Sequence, residues 1–289
     1  MSTLPARAER RCHNAVNPLH SCLFFSPDLG AELGKLGIED PGAAYFATRA
    51  AAFGAVGAGV VTATFYNFNP ALVARHVPAV WSVASPERVL GARLRAADAT
   101  LRRVLGEEII ASDEMAEAAR LALRATEACT PHARPLYAAH AELPVPDEPH
   151  LAFWHAATLL REHRGDAHLA ALLAAGLDPV ESLVSHTATG KGMAIRWILS
   201  SRGWRRTDWE AACDRLRERG LLETGEELAL TGAGTALRAQ VEEATDRMDV
   251  APYEHLGAEG VERLTELGRG FLFTAAAAGA FPAEATGRG

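Results

Sequence analysis

Apolar residues recur at spacings of three and four along most of this chain, which predicts helix after helix. A short charged helix is expected over 5–16, halted by Asn17-Pro18, followed by apolar Leu19, Cys22, Leu23 and Phe24 up to Ser26-Pro27. Asp40-Pro41 combines an N-cap with a first-turn proline, and opens a helix that carries Tyr45, Phe46 and Arg49 to near Gly54. Val60 to Phe68 is apolar and β-branched enough for a strand, and Asn69-Pro70 caps a further helical segment. Ser85-Pro86-Glu87 starts the clearest helix, with Val89, Leu90, Leu94, Ala97, Leu101 and Leu105 on one stripe. Residues 113–127 are Ala-rich and helical. Helices are then expected at 151–163 and 166–175, with a capping box at Asp178-Pro179-Val180-Glu181 opening another.

From Ala194 to Met248 the order of elements is that of a winged helix. An apolar helix (Ile195, Trp197, Ile198, Leu199) stops at Gly203, and a second opens at Thr207 and stops at Gly220. Residues 221–230 look like a short hairpin, and Thr231-Gly232-Ala233-Gly234 leads into a long helix, with a last amphipathic helix at 256–273. The expected fold is therefore mainly α: a helical N-terminal domain plus a winged-helix C-terminal domain with a small β-hairpin. The expected organisation is a helical domain over 1–130, a Pro-rich connection over 131–150, a helical and winged-helix domain over 151–275, and a frayed tail over 276–289. The connection holds five prolines, at 131, 135, 144, 146 and 149, which push their preceding residues towards extended conformations.

Charge tempers the nucleic-acid reading that this architecture invites. The chain is 289 residues long with a formal net charge of -7, so any phosphate contact needs a local basic patch. In the second helix of the pair, Trp209, Ala212, Cys213 and Leu216 form the inward stripe, which leaves Glu210, Asp214, Arg215, Arg217, Glu218 and Arg219 outside. Arg205 and Arg206 at its entry, with Arg215, are the candidate DNA contacts. The wing carries Glu223, Glu226 and Glu227 and no Lys or Arg, which argues against groove binding. Four cysteines without CxxC spacing read as reduced and buried. A charged N-terminus without an apolar signal region, and the lack of any apolar run near the ~20 residues a bilayer needs, point to the cytoplasm and to no membrane partner.

Two polar constellations carry candidate chemistry. Four histidines fall between 155 and 186, and His155, Leu159 and Glu162 share a helical face next to Glu162-His163-Arg164-Gly165-Asp166-Ala167-His168. Such a cluster can coordinate a metal or shuttle a proton. Its plainer reading is a hydrogen-bonded corner between two helices with Asp166 as N-cap, since no HExxH, HxxxH or Cys/His ligand spacing is present. No metal ligand set and no cofactor is assigned. The second constellation is Arg49 in an otherwise small and apolar run. An arginine there must snorkel out or find an anion. With His20, Tyr66 and Asn67 it forms a candidate pocket for a small aromatic or carboxylate ligand, the alternative being a core arginine paired with one acid. No GxGxxG, P-loop or GxSxG motif is present.

Asn17-Pro18-Leu19-His20-Ser21, Phe46-Ala47-Thr48-Arg49-Ala50-Ala51, Phe65-Tyr66-Asn67-Phe68-Asn69-Pro70, Leu160-Arg161-Glu162-His163-Arg164-Gly165-Asp166 and Leu230-Thr231-x-x-Gly234 together resemble a family of actinobacterial helix-turn-helix proteins. The C-terminal part of that family is similar to MarR-type winged helices. The resemblance spans roughly residues 10 to 275 and implies a mainly helical fold with a winged-helix end. It brings no established reaction or ligand, and the acidic wing departs from the basic wings of many such repressors.

Two functions follow as expectations. The first is a ligand-responsive transcriptional regulator, with a small-molecule ligand near His20, Arg49, Tyr66 and Asn67, DNA as a second partner, and a homodimer through 236–248 and 256–273. The second is an enzyme, metal-assisted or acid/base, in which His155, Glu162, His163 and His168 meet in an interdomain cleft.

Overall fold

The computed structural model describes residues 4–192, 194–225 and 227–281. Glu226 of the expected wing and the expected tail from 282 onward lie outside the described residues. The N-terminal part runs through α1 (Ala8–Ser21), α2 (Pro27–Gly34), α3 (Pro41–Ala50), α4 (Ala58–Phe65), α5 (Pro70–His76) and α6 (Pro86–Leu105). Then come α7 (Glu107–Ile110), α8 (Asp113–Thr126), α9 (Pro135–Ala141) and α10 (Pro149–Ala174). The chain continues through α11 (Pro179–His186), α12 (Ile195–Arg202), α13 (Arg206–Glu218), α14 (Gly232–Asp249) and α15 (Ala251–Ala277). Among the described residues no single helix is long and apolar enough to cross a membrane.

Side-chain caps explain many of the helix starts. Asp40, Asn69, Ser85 and Asp178 each accept from a backbone N–H of the first turn and are each followed by a proline at the first helical position. At α11 the box is reciprocal: Asp178 accepts from Glu181 N–H at 2.7 Å, and the Glu181 carboxylate accepts from Asp178 N–H at 3.1 Å.

The largest core gathers α1, α2, α6, α8, α10 and α15. At 26 residues, α10 is about 39 Å long. It buries side chains around most of its circumference, including the polar and charged His150, His155, Glu162, His163 and Asp166. Helix α15 packs against α1 so closely that a Cβ on Gly268 would lie 3.2 Å from the Ala15 carbonyl oxygen. Val261, Leu264, Leu267 and Phe271, which lie in one of the two segments (236–248 and 256–273) expected to pair with a second copy, are buried in this core. A second cluster joins the end of α10 to α11, α12, α13 and α14, and buries Trp209, Ala212, Cys213 and Leu216. A third, rich in phenylalanine, lies under α3, α4 and α5.

Several sequence expectations need correction. The expected winged helix with its β-hairpin does not form: among the described residues there is no strand, and its whole β content is one isolated antiparallel bridge between Leu222 and Leu230. Glu223 N–H donates to Ala229 and Thr231 N–H to Leu221, and the ladder ends there. Between the two leucines lies an acidic loop without apolar cross-strand pairs, and the chain before α12 is a turn of helix over 187–191 rather than a third strand. An isolated two-stranded ribbon is marginal in water, so nothing extends the bridge. The first helix runs through Pro18 instead of stopping at Asn17-Pro18. Burial of Cys12, Ala15, Val16 and Leu19 outweighs the ~3 kcal/mol an internal proline costs. Val60 to Phe65 is helical, not a strand. The corner expected between 163 and 166 is also absent, because α10 passes through it unbroken. Helix α13 begins one residue before Thr207, where the Asp208 carboxylate accepts from Arg205 N–H at 2.9 Å.

Candidate functional site

Arg49 is a buried residue of α3 whose side chain reaches Glu162 on α10. Its Nη2 donates to both carboxylate oxygens of Glu162, at 3.1 and 3.2 Å, and its Nη1 donates to the Tyr45 hydroxyl at 3.1 Å. The guanidinium carbon lies 4.5 Å from the centre of the Phe65 ring. Glu162 is only 2% exposed and also accepts from Arg161 at 2.7 Å. Burial alone would raise its carboxyl, but Arg161 and Arg49 outweigh it and hold the group well below the usual carboxylate range. Of the two sequence readings of Arg49, the carboxylate-paired core arginine is the arrangement present.

This pair forms one wall of a cleft of about 650 Å³ between α1, α3, α4, α10 and the end of α12. Its lining carries seven cations (Arg7, Arg10, Arg49, Arg161, Arg164, Lys191, Arg202) against three carboxylates (Glu162, Asp166, Glu242). In a chain of net charge -7 this is a strong local reversal of sign. Arg10 and Arg164 are held by Glu242 and Asp246 on α14, Arg10 at 3.0 and 2.6 Å. Arg202 differs. It lies 4.4 Å from the Phe68 ring centre and 5.5 Å from that of Trp197, and among the described residues no carboxylate comes within 4.0 Å of it. Burial lowers its basicity. Burial would also raise the Tyr45 phenol, yet Arg49, Arg202 and Arg161 together bring it below its ordinary value.

Of the expected ligand residues, Arg49 and Asn67 line the cleft and His20 and Tyr66 do not. His20 is buried, its Nδ1 2.8 Å from the Thr158 hydroxyl and its ring stacked on Trp154. The Tyr66 hydroxyl donates to the Leu177 carbonyl, from a residue held at φ 52°. Of the expected catalytic set, only Glu162 and His168 line the cleft. His163 pairs with buried Asp249 at 2.7 Å, His168 lies 2.9 Å from the Thr245 hydroxyl, and His155 is buried apart from both. Among the described residues no group of three or more His, Cys, Asp or Glu is placed to hold a metal ion. Asp166, expected as an N-cap on its own helix, caps another: its Oδ2 accepts from Leu136 and Tyr137 N–H, both at 3.0 Å, at the start of α9. Arg161 and Arg202 were not singled out by sequence. Arg161 lies in a conspicuous charged run beside Glu162, but nothing local announces that Arg202 meets a ring 134 positions away.

The buried histidines make acid lability an expected outcome. Burial lowers His140 to about 3 and His155 to about 4, and lowers His20 in the same direction. A depressed histidine contributes stability above its unfolded value near 6.5, and that stability is lost as pH falls towards the folded value. Glu162 acts in the same sense below the ordinary glutamate range. Asp166, which burial raises to about 6, acts oppositely between about 4 and 6 and offsets a part. The urea midpoint should therefore drop steadily from pH 6.5 to pH 4; a flat profile would contradict the burial of these rings.

The second feature is the helix pair itself. Helix α12 ends at Gly203, whose φ of 73° is a left-handed C-cap that glycine adopts without strain. A Cβ there would also lie 2.8 Å from Leu72. Trp204 and Arg205 complete a three-residue turn into α13, which packs on α11. Two helices joined by a short glycine-containing turn are a helix-turn-helix. The three expected DNA contacts on α13 all have carboxylate partners: Arg205 with Asp208 at 2.8 Å, Arg206 with Glu210 at 3.8 Å, and Arg215 with Asp178 and Glu181 at 2.5 and 3.0 Å. No curated protein and no solved structure matches the chain. The model of the helix-turn-helix family matches residues 9–282, nearly the whole sequence, and the chain belongs to that family.

Proposed function

We propose that the protein is a ligand-responsive DNA-binding regulator of the cytoplasm, in which α13 approaches DNA and the cationic cleft holds a small molecule. The observation that carries this reading is the double role of Arg202. It is the last residue of α12, the first helix of the helix-turn-helix, and it is also a wall of the cleft. The segment 66–69 links the two as well. Tyr66 donates to Leu177, Trp204 Nε1 donates to the Asn67 carbonyl at 2.8 Å, and Asn69 N–H donates to the Arg202 carbonyl at 2.9 Å. A ligand shifts such a protein only if it prefers one arrangement of these contacts over another, and an occupant of the cleft that draws on Arg202 meets that condition.

Arg205 and Arg206 are exposed at the start of α13, and on this reading they are assigned to the duplex, as the N-terminal residues of recognition helices are. Their present partners are exposed ion pairs, typically worth under ~1 kcal/mol, which phosphate contacts can replace. A random duplex should be shifted at low salt, with the shift fading steeply as salt rises from about 50 to about 200 mM. Changing both Arg205 and Arg206 to alanine should reduce the slope of log affinity against log salt by about 2. If even low salt gives no shift, the regulator reading is lost. The enzymatic reading has less behind it, since His155 is buried and His163 is paired with Asp249, neither in the lining of the cleft that Glu162 and His168 share.

A further inference from the structure

We propose that the cleft is a binding site for a small organic dianion, a phosphate monoester or a dicarboxylate, held between Arg49, Arg161 and Arg202. The proposal deepens the regulator reading and rests on its cleft. Its first support is charge. Once Arg10 and Arg164 are matched to Glu242 and Asp246, the lining keeps Arg49, Arg161 and Arg202, with Arg7 and Lys191, against the carboxylates of Glu162 and Asp166. That leaves an excess of positive charge in the recess. Unmatched buried charge is expensive, and a dianion cancels it.

The second support is unmet hydrogen bonding. The Nε atoms of Arg49 and Arg202 are buried donors without an acceptor. Both guanidiniums have one face against an aromatic ring, Arg49 on Phe65 at 4.5 Å and Arg202 on Phe68 at 4.4 Å. A stacked guanidinium is held in orientation and presents its N–H groups in its own plane, the geometry that carboxylate and phosphate oxygens accept in pairs. The rings are thus occupied in orienting the arginines, so recognition falls on the anionic group. Burial also brings the Arg202 guanidinium below its usual basicity, a cost that a bound anion reverses. The volume of about 650 Å³ suits a small metabolite-sized ligand.

Calorimetric titration of the full chain tests this with four probes at matched ionic strength: phenyl phosphate, phthalate, benzoate and sodium chloride. Saturable binding of phenyl phosphate or phthalate, at least ten-fold tighter than benzoate and absent with chloride, is the expected result. Whichever dianion binds more tightly identifies the headgroup chemistry. Arg202→Gln and Arg161→Gln should each weaken that binding at least ten-fold while keeping wild-type helicity. If Arg202→Gln loses helicity, Arg161→Gln alone decides. No saturable dianion binding, equal binding of benzoate, or unchanged binding in a folded variant overturns the proposal. A duplex shift run on the same preparation separates the two readings. DNA binding without dianion binding overturns this inference alone, and dianion binding without DNA binding overturns the regulator alone.

Discussion

Replacing Glu162 with alanine is expected to cost about 3–5 kcal/mol of folding free energy, the largest effect of any single charged residue here. The carboxylate is 2% exposed and is the sole acid on both Arg49 and Arg161. Its removal strands the Arg49 guanidinium, 8% exposed, against Phe65 and Tyr45 with no counter-charge. Breaking a buried pair in this way costs far more than never having had it. The double variant Arg49→Met with Glu162→Leu should therefore regain most of the lost stability, since no buried charge is orphaned at position 49. Urea unfolding of the three proteins checks both parts. A loss below about 1 kcal/mol in the single variant would mean that water reaches the pair as freely as it reaches a surface bridge.

Gly234→Ala is expected to be nearly as damaging, for steric reasons alone. A Cβ at this position would lie 2.0 Å from the Leu221 carbonyl oxygen and 3.0 Å from its carbon, both backbone atoms that no rotamer change can move. The same carbonyl accepts from Thr231 N–H at 3.1 Å, and the Thr231 hydroxyl caps α14 by accepting from Gly234 N–H at 3.0 Å. Relief of the clash must therefore pull apart the bridge segment, the cap and the start of α14 together, at about 3 kcal/mol, the upper part of the range for overpacking. Gly232→Ala is the matched control. Nothing lies within 4 Å of its Cβ, so it should be neutral or slightly stabilising through helix propensity. Thermal melts of the two variants should separate by several degrees, and coincident melts would sink the argument.

The expected wing shows why a correct order of elements does not secure a fold. Gly203, Gly220 and Thr231 bound their elements as the sequence indicated, because a left-handed C-cap and a hydroxyl N-cap act within a few residues. Two apolar ends around a Gly-containing acidic stretch at 221–230 also looked like a hairpin, but a strand needs a neighbour, and whether one exists is not a local property. Much the same happened at Asp166. Its chemistry as a capping acid was legible, yet the helix it caps is α9, and only the packing of α9 across α10 brings those two N–H groups to it.

The candidate cleft was half legible. Arg49 and Glu162 were each conspicuous, one as a charge in an apolar run and the other beside a histidine cluster, but nothing in the pattern joined residues 113 positions apart. Arg202 carried no signal, because a basic residue before a helix-ending glycine is ordinary.

By itself the sequence determined the capped helix starts at Asp40, Asn69, Ser85 and Asp178, the inward stripe of α13, and that a short glycine turn separates α12 from α13; caps, periodicity and left-handed glycines are short-range physics. The tertiary structure alone decided that α1 and α10 continue through Pro18 and Gly165, that a wing fails to form, and that Arg49 and Arg161 share the carboxylate of Glu162. Those outcomes depend on burial and charge balance summed over distant segments, where packing free energy overrides local preference and no neighbouring residue records the partner.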